Sequence, residues 1–216
     1  MLDKGNIARK LIHFFTGIAI LLLTWFTDKS TLLWIISGGA VFAFATFPFK
    51  AFQFIHKTTY NSYGTLFYPL GILSAYLVLY HFPVNYFRIA LLLLTVSDTI
   101  ANISGQIKQN NFYFRVAAEK KSLFGILGFV LSAWFILYLL LPDQLYNSFA
   151  LVVFLLLATA NFEIISFRGS DNLSIPLGTA LIFSAVTIIP FERMAFLNIT
   201  IILLAGGSYM LYRLKC

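Results

Sequence analysis

The sequence predicts an all-α integral membrane bundle of about eight transmembrane helices, folded as one domain over residues 1–216. Three observations predict it. First, of 216 residues 60% are hydrophobic and only 11% are charged, where soluble domains carry about 25% charged residues, and the mean hydropathy is +0.86. Second, the apolar residues are gathered into runs, each long enough to span or nearly span about 30 Å of hydrocarbon. Third, these runs do not alternate with a period of two. Helices, which close their own backbone hydrogen bonds, are therefore favoured over a barrel.

The runs cover residues 11–27, 31–48, 65–82, 84–106, 122–141, 146–166, 173–190 and 195–213. Turn and charge signals separate them: Asp28-Lys29-Ser30, Lys50 to Tyr63, His81-Phe82-Pro83, Lys108 to Lys121, Leu141-Pro142-Asp143, Arg168 to Asn172, and Pro190 to Arg193. No repeat, soluble domain or cleavable signal peptide is evident. The single cysteine, Cys216, excludes an intramolecular disulfide.

Charge orients the bundle. With the N-terminus in the cytoplasm and the spans alternating, one side holds Lys4, Arg9, Lys10, Lys50, Lys57, Lys108, Arg115, Lys120, Lys121, Arg168, Arg213 and Lys215. The other side holds Lys29, Arg88 and Arg193. This positive-inside bias predicts both termini in the cytoplasm. It also accounts for the net charge of +7 without a nucleic-acid partner.

Nearly every polar group of interest falls on the cytoplasmic side. A transporter would more often scatter such groups at the midplane. In the first run, Arg9 and His13 share a helix face, and with Lys10 they can hold phosphate oxygens; anchoring at the cytoplasmic surface fits Arg9 and Lys10 equally. Lys57-Thr58-Thr59 and Tyr63-Gly64-Thr65 precede the third run, where a lysine and a helix N-terminus suit an anion. Tyr residues at the headgroup level explain the same composition.

Asp98, Asn102 and Gly105 lie on one helical face at the cytoplasmic end of the fourth run. A carboxylate there needs a cation or a partner: with an amide oxygen it forms a hard ligand set suited to Mg²⁺ on nucleotide phosphates, and a structural pairing with an Arg or Lys of a neighbouring helix accounts for it as well. Lys120 and Lys121 precede a helix that Ser122 can cap, which makes a phosphate-binding corner; by themselves these cations are accounted for by a positive-inside loop. Glu163 and Ser166 end the sixth run, and Asp171 and Asn172 open the seventh. Gly169 permits a tight bend between them, and Pro176 lies just inside the following helix.

Several of these stretches resemble, in this order, the family of CTP-dependent lipid kinases that includes dolichol, phytol and farnesol kinases and the yeast-type diacylglycerol kinase. That family is related more distantly to phosphatidate cytidylyltransferases. The resemblance runs through Arg9-Lys10-x-x-His13, Tyr63-Gly64-Thr65 before Tyr68-Pro69, Ser97-Asp98-x-x-Ala101 with Gly105, and Lys121-Ser122-x-x-Gly125. It is strongest in Glu163-x-x-Ser166 and Gly169-x-Asp171-Asn172-Leu173-x-Ile175-Pro176. Many members have Gly-Asp at Ser97-Asp98, and a glutamate where this chain has Phe124. At 216 residues the chain is expected to lack the large extra membrane domain of dolichol kinases, which favours the phytol, farnesol or diacylglycerol kinase type.

The resemblance implies transfer of the γ-phosphoryl group of CTP to the hydroxyl of a prenol or diacylglycerol at the cytoplasmic face. Asp98, Asn102 and Asp171 are then expected to hold Mg²⁺. Arg9, Lys10, His13, Lys57, Lys120, Lys121 and Ser122 are expected around the triphosphate, with Ser166 and Asn172 on ribose, base or phosphate. Glu163 or Asp171 is expected to accept the hydroxyl proton. Two alternatives remain at this level: synthesis of a CDP-lipid, and a non-catalytic transporter or scaffold.

Overall fold

A computed structural model describes residues 4–46, 63–107, 113–116 and 119–188. It is helical apart from one hairpin. Helices α1 (Lys4–Phe26), α2 (Lys29–Thr46) and α3 (Gly64–Val78) come first. Next, α4 (Val84–Leu92) runs through a π-helical turn, Leu93–Ser97, into α5 (Asp98–Ile107). The antiparallel strands β1 (Tyr113–Val116) and β2 (Glu119–Ser122) follow, then α6 (Leu123–Leu140), the single turn α7 (Asp143–Tyr146), α8 (Phe149–Ile165) and α9 (Asp171–Ile188). Seven of the eight expected apolar segments are thus helical, and the eighth, 195–213, lies outside the described residues.

Among the described residues, four stretches are long and apolar enough to cross a membrane: Lys29–Thr46, Val84–Gln106, Leu123–Leu140 and Asp171–Ile188. Lys10–Phe26, Gly64–Val78 and Phe149–Ile165 are shorter apolar helices. The outward faces suit lipid. On α2, Leu32, Ile36 and Ala40 recur every four residues and are buried, while Trp34, Val41 and Phe42 are exposed. The loop before α2 is held by Asp28, whose carboxylate accepts from the backbone N–H of Ser30 (2.9 Å) and Thr31 (3.1 Å) and from the Thr31 hydroxyl.

Close approaches at small residues fix how the helices pack. A Cβ on Gly71 of α3 would strike the backbone oxygen of Asn172 on α9, with Pro176 Cγ 2.8 Å away. Pro176 has no N–H, so it removes the usual helical donor for that same carbonyl. Gly17 of α1 abuts Thr95 in the π turn and the Tyr68 hydroxyl. On α6, a Cβ on Gly125 would come within 2.9 Å of the backbone oxygen of Ala101, and one on Gly128 would strike Ser104.

Three boundary differences bear on the site. Helix α1 begins at Lys4, ahead of the apolar run at 11–27, so Arg9 and Lys10 lie within it together with His13. The break expected over Lys108 to Lys121 contains a hairpin, with Arg115 opposite Lys120 and Phe114 opposite Lys121. Ser122 occupies the N-cap position of α6 with extended backbone, but its side chain makes no capping hydrogen bond.

Candidate active site

Five charged side chains, drawn from five elements, meet at one end of the bundle. Asp98 is the first residue of α5, directly after the π turn. That turn shifts the helical register, and Leu93, Leu94, Thr95, Ser97 and Asp98 are all buried around it. Glu163 lies in the last turn of α8 and Asp171 is the first residue of α9. Each of these three acids offers one carboxylate oxygen, and the three oxygens lie within 4.8 Å of one another. Asp98 is 3% exposed.

Two lysines hold the acids in place. Lys10 of α1, only 5% exposed, pairs with Asp98 Oδ2 and sits 3.7 Å from Asp171 Oδ2. Lys121 of β2 pairs with Glu163 Oε1 at 2.9 Å. The cluster thus holds three negative charges against two positive ones. Burial on this scale is tolerated only when charges are paired.

The turn between α8 and α9 positions two of the acids. Arg168 (φ 49°) and Gly169 (φ 85°) are both left-handed, which reverses the chain within a few residues. The Arg168 carbonyl accepts from Tyr63 N at 3.0 Å, tying the turn to the start of α3. Asn172 adds a second tie: its Nδ2 donates to Gly64 O at 3.1 Å. The Tyr-Gly-Thr and Asp-Asn-Leu-x-Ile-Pro stretches are therefore one structural unit. On the other flank, His13 stacks on Tyr68 at 4.1 Å, and the Tyr68 hydroxyl donates to the His13 carbonyl.

Among the described residues, four buried side-chain oxygens have no hydrogen-bond partner: Ser97 Oγ, Ser122 Oγ, Glu163 Oε2 and Asn172 Oδ1. Each belongs to a member of the cluster or to a residue next to one in sequence. Buried acceptors are almost always satisfied in folded proteins. The converging oxygens of Asp98, Glu163 and Asp171, with Glu163 Oε2 unsatisfied, fit a hard divalent cation such as Mg²⁺, which takes oxygen ligands.

The structure sorts the expected residues. It brings together Asp98, Glu163, Asp171, Lys10 and Lys121, and the Asn172 N–H donates to Asp171 Oδ1, while Ser122 lies against Gly105 of α5. The amide oxygen of Asn102 accepts from Gln106 Nε2, one turn further along α5. Glu163, expected as a proton acceptor, is the third acid of the cluster. Ser166 serves the turn, because its hydroxyl donates to Phe162 O and lies 2.8 Å from Ser174 Oγ. Arg9 lies on α1 and Lys120 on β2, while Lys57 lies outside the described residues. Lys10 was expected beside phosphate and is found among carboxylates. Ser97, which the resemblance placed beside Asp98 without a role, is buried in the π turn.

No family model and no solved structure matches the chain. A curated protein does: over 192 residues the chain is 27% identical to phytol kinase from a Synechocystis species, an alignment covering 84% of this chain and 79% of that protein. The chain is similar to a phytol kinase. This supports the resemblance to the polyprenol and phytol kinase family that the motifs carry.

Proposed function

We propose that the chain is an integral membrane lipid-alcohol kinase, which transfers the γ-phosphoryl group of CTP to the hydroxyl of a prenol such as phytol, farnesol or a polyprenol, or of diacylglycerol, at the cytoplasmic face. The observation that carries this reading is the cluster of Asp98, Glu163 and Asp171 interleaved with Lys10 and Lys121. The similarity to phytol kinase supports the reaction class; CTP comes from the family resemblance.

Phosphoryl transfer depends on positioning and charge neutralisation more than on covalent chemistry. The alcohol oxygen bonds to the γ-phosphorus, the bond from that phosphorus to the β,γ-bridging oxygen breaks, and CDP leaves. The hydroxyl proton passes to a carboxylate. Glu163 suits that role, since Oε1 is held by Lys121 while Oε2 is buried with no partner. Asp98 and Asp171 would hold Mg²⁺, which supplies neutralisation of the triphosphate charge. Lys121 and Lys10 add positive charge beside the phosphates, and Asn172 keeps Oδ1 available as an acceptor beside Asp171. The apolar helix faces keep the lipid tail in hydrocarbon and leave its hydroxyl at the membrane interface.

The test is purified protein with Mg²⁺, a panel of phytol, farnesol, undecaprenol and diacylglycerol, and CTP labelled at either the γ or the α phosphate. A kinase moves the γ label into lipid and leaves the α label in nucleotide. Transfer of the α label identifies CDP-lipid synthesis instead, and no transfer of either label to any lipid overturns the enzymatic reading.

A further inference from the structure

Lys10 stands where a cation ligand would be expected. Its Nζ bridges Asp98 Oδ2 and Asp171 Oδ2, the latter at 3.7 Å, and the side chain is almost wholly buried. Both of these acids belong to the group whose oxygens converge within 4.8 Å. Glu163 Oε2, the remaining acid's second oxygen, is buried and without a partner. An ammonium and a divalent cation cannot share the Asp98–Asp171 gap, since both need the same oxygens and they repel one another at that range.

We propose that Lys10 is a resident counter-ion that closes the Asp98–Asp171 pair to divalent metal until a nucleotide triphosphate draws it away. This rests on the kinase reading of the site and deepens it by assigning an order of binding. Without nucleotide, Lys10 neutralises the two buried aspartates and keeps them folded together. The arriving polyphosphate offers Lys10 a competing anion, and the vacated oxygens then accept the metal that accompanies the nucleotide. The four carbons of the lysine stem allow the ammonium to swing while its Cα stays on α1. Lys121 stays with Glu163, its ion-pair partner at 2.9 Å, and takes no part in this exchange.

The experiment measures Mn²⁺ binding to purified full-length protein by electron paramagnetic resonance, with and without the β,γ-methylene analogue of CTP. In the wild-type protein the analogue should tighten Mn²⁺ binding by more than tenfold beyond the affinity of Mn²⁺ for the analogue alone. Lys10→Gln should bind Mn²⁺ at least tenfold more tightly than wild type without the analogue and lose most of the coupling. Lys10→Arg keeps a cation at the position and should behave as wild type does, which holds the test open if Lys10→Gln does not fold. Equal Mn²⁺ affinity with and without the analogue in the wild-type protein overturns the proposal. No Mn²⁺ binding under any condition instead counts against the metal site of the kinase reading itself.

Discussion

Gly71→Ala is the sharpest test of how the bundle places its acids. The added Cβ would overlap the backbone oxygen of Asn172 and approach Pro176 Cγ to 2.8 Å. Ordinary carbon contacts begin near 3.4 Å, so the proline ring alone requires a shift of roughly 0.6 Å, and a backbone oxygen cannot rotate away as a side chain can. The start of α9 must therefore move off α3, taking Asp171 and Asn172 with it. Overpacking of this kind costs about 1–3 kcal/mol, against a gain of up to about 1 kcal/mol in helix propensity. A displacement near 1 Å at a reacting group can cost on the order of 100-fold in rate. The assay is thermal unfolding in detergent, paired with the initial rate of label transfer from γ-labelled CTP. Gly38→Ala is the control, because a Cβ at Gly38 meets nothing within 4 Å; it should leave stability unchanged or raised. The reasoning is refuted if Gly71→Ala is as stable and as active as Gly38→Ala.

Further outcomes follow from the charged cluster and the α1–α2 loop. Asp98→Asn and Asp171→Asn should each lower phosphoryl transfer by about 1,000-fold or more while the protein still folds in detergent, consistent with loss of charge neutralisation worth several kcal/mol; near wild-type activity in either would remove that residue from the chemistry. Chelation of divalent metal should abolish transfer and added Mg²⁺ should restore it, as measured with the same label. Hydrogen bonds from Thr31 and Ser30 hold the exposed Asp28 carboxyl at about 2, below its ordinary 3.8. Its folded-state value is depressed, so its contribution is present above about pH 4 and is lost as pH falls through about 2. Asp28→Ala should flatten this acid limb of the thermal-stability profile and leave transfer at neutral pH unchanged.

Much of the fold was legible because hydrocarbon is an unforgiving solvent. A run such as Leu123 to Leu140 has no alternative to a helix there, and turn residues such as Pro142-Asp143 mark where it stops. Asp98, Glu163 and Asp171 were legible for a related reason: a carboxylate beside an apolar run needs a purpose. The hairpin at Tyr113–Ser122 was not, since its four-residue strands carry no sustained alternation and gain their order from pairing with each other. The π turn at Leu93–Ser97 was hidden because an apolar run looks the same in either helical register.

Lys10 marks the limit most clearly. Lys10 looked like one more cytoplasmic cation, yet it lies buried between acids 88 and 161 positions away in the chain. Composition and hydropathy are properties of single segments, and they were enough to establish a helical bundle with its acids and cations at helix ends. Which acid faces which lysine is a property of helix pairs. It was settled by close contacts at Gly17, Gly71 and Gly125, where the absence of a side chain lets two backbones approach and thereby sets the rotation of every residue along them.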